Sequence, residues 1–436
     1  MTVIDLGELT EPTDREPPRR RGPSVSRRLR AGLVALGALL ALAGAAPPAA
    51  RVHATLPGTL AAELILAQDQ IFTVVPAPGV TDGTQELVAY PRPAQRATVT
   101  PQRLAPLWRV PLSPGQRIFR AESVDDHGVL LSRAQGRVVG PTNTTETVLL
   151  DVRTGQRRWS APGIATRDAS QRVLLRTFSL EEPATLAAVE LATGRELWST
   201  SVPAVWMEYH ERDGVIDAIV VSTTAGDIEV LDPATGALRH RLPAPDDLAG
   251  YQNGSVVGDL LLVIRNSKTI TAYDLDGLVQ RWQTTLSLAD YVTGCGDLLC
   301  ARIGGGGVHL LDPATGIVQW VSSEELHIVL AANGRVLAIS GTGVGLDVVT
   351  VEAATGSELA DFGSWGLVDS YDYLARLLGV RVVPDVGLVL ARLDPTEAQP
   401  RRIDVLPGAV DGCQQRHGLI ACRRGDDTFG VWQLRD

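Results

Sequence analysis

Two stretches, LDPATGALRH at 231–240 and LDPATGIVQW at 311–320, carry the same turn. Its chemistry is local. Proline sets φ beside an aspartate whose carboxylate accepts backbone N–H groups, and the glycine supplies a positive φ. Working outward, the turn recurs as LDVRTGQRRW at 150–159, ELATGRELW at 190–198, YDLDGLVQRW at 273–282 and VEAATGSELA at 351–360. The turn glycines are taken as Gly155, Gly194, Gly236, Gly277, Gly316 and Gly356, with spacings of 39, 42, 41, 39 and 40 residues. A period near 40 is the blade length of four-stranded propeller repeats.

The flanks agree. In the fifth unit LLLVIRN (260–266), TITAYDL (269–275) and VQRWQTTL (279–286) are three strands separated by turns, and a fourth precedes them. The aromatic after the turn, Trp159, Trp198, Trp282 or Trp320, recurs at one repeat position and is expected to pack between neighbouring blades. Weaker units lie at 71–110, with an insertion before Trp108, and at 377–407; the last, at 419–434, lacks its outer strand. About nine partial units are visible. Eight blades are expected, with seven or nine as alternatives and with strands from the two termini combining in one blade. The fold class is all-β, and the propeller is assigned to 59–436 after a linker at 51–58.

These fragments, of general form A-x-[DN]-x-x-T-G-x-x-x-W, resemble the pyrroloquinoline-quinone-like repeat shared by quinoprotein dehydrogenases and BamB-like assembly lipoproteins. With its arginine-rich start and Ala-rich apolar run, the chain looks like a membrane-anchored actinobacterial member of that family. The resemblance implies fold more than function, because enzymes and binding scaffolds share the repeat.

Residues 31–46, AGLVALGALLALAGAA, hold no charge and follow Arg27, Arg28 and Arg30. With Ala49 and Ala50 included the run reaches bilayer length, giving a transmembrane helix at 31–50 behind a cytoplasmic Arg/Pro-rich tail at 1–30. A cleaved signal peptide is the rival, since small-x-small sites occur at 41–45. Either way the remainder lies outside the cytoplasm. Overall net charge is −10, and the tail contributes seven arginines against five acids. The exported part is thus acidic, which disfavours nucleic acid as a partner.

Cys295, Cys300, Cys413 and Cys422 form two local pairs, and an even count in an exported chain points to disulfides. Aligning VHLLD (308–312) with GVWQL (430–434) makes Cys300 and Cys422 repeat-equivalent, so each pair is expected to staple the same hairpin in its blade. Neither pair has the spacing of a zinc knuckle.

Other candidate chemistry reduces to turns. Gly304–Gly307 lacks the lysine and helix of a phosphate loop, and Gly341, Gly343 and Gly345 repeat its position. Asp274-Leu275-Asp276-Gly277 lacks the downstream glutamate of a calcium loop. Asn143-Thr144-Thr145 is a lone sequon, and His417 falls in the Cys413–Cys422 hairpin turn. No adjacent cysteines and no C-x-x-C-H motif are present. No catalytic, metal or cofactor-binding residue is nominated and no cofactor is expected. The expected function is a non-catalytic extracytoplasmic scaffold binding a protein or envelope ligand. A sensor signalling through the tail 1–30 and a quinone-dependent dehydrogenase are the alternatives.

Overall fold

The computed structural model describes residues 50–434 except 60–61, 80–83, 114, 125–127, 136–143, 168, 178–183, 247–251, 305, 323–326, 341–344, 371–376 and 385–386. The tail 1–30 and the expected span up to residue 49 lie outside the described residues, as do Asn143, Gly305, Gly341 and Gly343. Among the described residues no helix is long and apolar enough to cross a membrane.

The regular elements described are all strands, grouped into four-stranded antiparallel meanders in a β-propeller arrangement. Their burial follows their place in a meander. The second strand Leu260–Arg265 (LLLVIR) is buried through its centre on both faces, because neighbouring sheets cover both. The fourth strand Gln280–Thr285 (QRWQTT) buries only Trp282.

Sheets 1 to 6 span 63–111, 116–162, 164–202, 204–242, 252–285 and 289–322. A seven-stranded sheet follows, which resolves into two meanders sharing Glu358–Leu367. The first part of that strand closes sheet 7 by pairing with Leu346–Glu352; Gly366 and Leu367 then pair with Val380 and Gly379 to open sheet 8. Sheet 9 takes three strands from 409–433 and its fourth from His53–Leu56, in register from His53↔Trp432 to Leu56↔Phe429.

Residues 53–56, assigned above to a linker, are therefore an integral strand. The compact unit begins at Arg51. As expected, strands from the two termini combine in one meander, and the described strands form nine meanders, one of the alternatives to the eight blades expected.

Each apolar cluster joins consecutive sheets. Trp282, Leu262 and Ile264 of sheet 5 meet Leu299, Ala301 and Leu311 of sheet 6. Leu56, Leu419 and Val431 of sheet 9 meet Leu64, Leu66 and Ile71 of sheet 1, which returns the cycle to its start.

Candidate functional site

The repeated turn is a joint between blades. In sheet 6 the Asp312 carboxylate accepts from the Ala314 and Thr315 N–H groups at 3.1 and 2.8 Å and from Thr315 Oγ1 at 2.7 Å. Gly316 then takes φ +71° and its N–H donates to the Asp312 carbonyl at 2.8 Å. Trp282, from the preceding sheet, lies against that glycine: a Cβ there would fall 2.3 Å from the indole ring. The indole Nε1–H donates to the Pro313 carbonyl at 2.8 Å. Trp159 docks on Gly194 and donates to Leu191, Trp198 docks on Gly236 and donates to Pro233, and Trp320 seats on Gly356. Trp108, not counted among the repeat tryptophans above, does the same on Gly155 and Val152.

Gly277 departs from this pattern. Counted from the capping aspartate, Leu278 stands at the glycine position. Leu278 has φ +52° and its N–H donates to the Asp274 carbonyl. The cause lies one sheet back, where the tryptophan position is held by His240, which is exposed. With no indole to seat, the joint has room for a side chain, and Leu278 packs into the apolar cluster between sheets 4 and 5.

That joint is held by charge instead. Buried His210 shares Nδ1 with the Asp217 carboxylate, and its Nε2 lies 3.4 Å from Asp259 of sheet 5. Arg212 reaches Asp217 at 3.5 Å, Asp259 at 2.9 Å and Asp276 at 3.5 Å. Nearby, burial pushes the Glu208 carboxyl up while its carboxylate accepts the Val256 N–H at 2.5 Å.

The cysteines pair as expected, Cys295 with Cys300 and Cys413 with Cys422, at S–S distances of 2.08 and 2.12 Å. Both pairs join the first and second strands of a sheet. Their repeat equivalence does not hold. Leu310 pairs across its hairpin with Cys300, whereas Trp432 pairs with Ile420. Cys300 faces the following sheet and Cys422 the preceding one. Side chains alternate faces along a strand, so a one-residue difference in register inverts the direction.

Where sheets 1, 2 and 9 meet, a cavity of about 380 Å³ is lined by Glu63, Gln85, Arg117 and Arg423, with Ala62, Val74 and Ile118. Arg423 is committed there, donating to the Thr59 and Ala62 carbonyls at 2.5 and 3.2 Å. A smaller cavity of about 100 Å³ brings together Arg120, Asp369, Gln414 and Arg416. The lining of neither cavity includes a serine, cysteine or histidine. Both linings combine guanidinium and carboxylate groups, the chemistry that pairs with polar ligands.

Residues 144–298 match the family described as outer membrane protein assembly factor BamB. Over that span the repeats are similar to those of BamB, of the pyrroloquinoline-quinone type. BamB from Moraxella catarrhalis is similar at 17% identity over 73% of this chain and 98% of its own, with TM-score 0.39. Sqt1 of Saccharomyces cerevisiae is similar at 10% identity over 89% and 100%, with TM-score 0.48. A search of curated proteins found no match. The calcium that accompanies the quinone suggested by the repeat's name does not fit the turn carboxylates. The turn carboxylates of Asp151, Asp232 and Asp274 are engaged by their own turn N–H groups and by Arg158, Arg239 and Arg281. Among the described residues no cluster of His, Cys, Asp or Glu is placed to hold a metal ion.

Proposed function

We propose that the chain is a non-catalytic propeller scaffold of nine blades, held outside the cytoplasm at the cell membrane by 31–50, and that it binds a protein or envelope ligand. One observation carries this reading: the repeat's most chemically distinctive residues are engaged structurally, Asp and Thr in shaping the turn and Gly and Trp in joining blade to blade. What varies between units is the loops, and variable loops on a rigid frame are a binding device. The BamB-like match supports a protein partner by analogy. The arginine-flanked apolar run and the two cystines support export.

The test is in-cell cross-linking of tagged full-length protein, with mass spectrometry of captured partners and of the protein's own N-terminus. A reproducible partner joined to an intact N-terminus supports the scaffold. Oxidation of a dye-linked substrate after addition of quinone and calcium would replace it with the dehydrogenase reading.

A further inference from the structure

The residues next to the expected membrane segment are built into the ring. Arg51 exchanges two backbone hydrogen bonds with Thr98, at 3.0 and 2.9 Å. Its guanidinium pairs with Asp404 and donates to the Val405 carbonyl at 3.0 Å. Ala54 and Thr55 pair in parallel with Gln102 and Arg103. Gln102 in turn closes the insertion on itself, accepting from the Ala94 N–H and donating to the Ala94 carbonyl, both at 2.9 Å. Two segments, 94–103 and 401–405, therefore meet at Arg51. In sequence, Arg51 directly follows the expected span 31–50.

The rim is cationic on a chain whose exported part is acidic. Arg96, Arg103, Arg401 and Arg402 are exposed, and none makes an ion pair or side-chain hydrogen bond among the described residues. Of the nearby acids, Asp404 is paired with Arg51, and Asp394 accepts from the Thr396 N–H and hydroxyl at 2.9 and 2.6 Å with Arg392 3.6 Å away. Glu397 is the exposed acid on the adjoining turn. Within the first of these segments, 94–103, Val99 is 59% exposed. Unpaired arginines with an exposed apolar side chain suit a lipid surface bearing anionic headgroups.

We infer that this rim, formed by 94–103 and 401–405 around Arg51, rests on anionic lipid and fixes the orientation of the ring on the membrane. The inference rests on the anchored reading proposed above, in which residue 51 follows the span directly in sequence.

The experiment places the full chain in nanodiscs of phosphatidylcholine, with and without phosphatidylglycerol, and follows amide exchange. Segments 94–103 and 401–405 are expected to exchange more slowly in the anionic discs. Protection should fall about fivefold for each charge removed in Arg401→Gln and Arg402→Gln and disappear at high salt. Equal exchange in both discs overturns the inference. Protection seen in native membranes but not in lipid-only discs also overturns it, in favour of an acidic protein partner. If the purified chain proves trimmed, the anchor reading fails separately, and the released protein is then spun with phosphatidylglycerol vesicles. Salt-sensitive retention supports the lipid-facing rim, and no retention overturns it.

Discussion

At the scale of single residues, tryptophan and glycine are coupled across blades. Gly316 is needed twice over, for its φ of +71° and because Trp282 occupies the space of a Cβ. Trp282→Ala is expected to cost about 3–5 kcal/mol, as large-to-small changes at buried aromatics do. Gly316→Ala combines left-handed strain of about 1–2 kcal/mol with a clash. In the Trp282→Ala background only the strain remains, so the two changes should be non-additive in a denaturant-unfolding cycle. Simple additivity would show that the indole does not set the glycine requirement. His240 facing Leu278 is the natural counterpart of that double variant. The capping aspartates give a pH dependence. Arg158, with the Arg153 and Thr154 N–H groups, holds the Asp151 carboxyl at about 2, and Arg281 with the Gly277 and Asp276 N–H groups lowers Asp274. A depressed carboxyl stabilises fully above its ordinary value near 4 and loses that contribution as pH falls through about 2. Urea midpoints should therefore fall between pH 5 and pH 2.5, on the order of the window these groups span. Asp151→Asn should fall less than the parent.

At the scale of elements, the cystines stiffen hairpins whose neighbours depend on them. The Cys295–Cys300 loop is bonded into the next sheet: the Ala331 N–H donates to the Cys295 carbonyl, the Asp297 N–H to the Ala331 carbonyl, and the Asn333 N–H to the Asp297 carboxylate. Replacing both cysteines of either pair by serine should lower stability by about 2–3 kcal/mol on the loop-closure model. Loss of the first pair should also speed amide exchange at Asp297 and Ala331. Unchanged exchange there would show that the loop holds its place without the cystine. The pairing partners were legible from local spacing, whereas the face each cystine presents was not. The face depends on the exact position in the ladder: the two hairpins close identically at Arg302↔Val308 and Arg423↔Phe429, so Ala421 is the counterpart of Cys300 and Cys422 stands one residue further on, facing the other way. The same accounting misplaced Gly277, because a DG pair reads as the turn until residues are counted from Asp274 to Leu278.

For the whole molecule, ring closure depends on four residues far from the C-terminus. Removing His53–Leu56 would expose the edge of Phe429–Gln433 and strip fully buried Leu56 from the cluster joining sheets 9 and 1. A chain starting at residue 51 should melt cooperatively. One starting at residue 59 should lose at least about 3 kcal/mol and self-associate through the open edge, as calorimetry and size-exclusion chromatography would show. Equal melting of the two would mean that the ring closes without the strand.

The period near 40, the capped turns, the interblade tryptophans and the cysteine pairs were determined by the sequence itself, because each is a local pattern of turn chemistry and alternation repeated along the chain. Three features were decided by tertiary structure. Residues 53–56 are a strand because sheet 9 lacks an outer strand and no other segment supplies it. Nine meanders form among the described strands because Glu358–Leu367 serves two sheets. Leu278 is tolerated where its repeats carry glycine because the side chain pressing on that turn comes from another blade. Each of these depends on partners far apart in sequence, which no reading of neighbouring residues brings together.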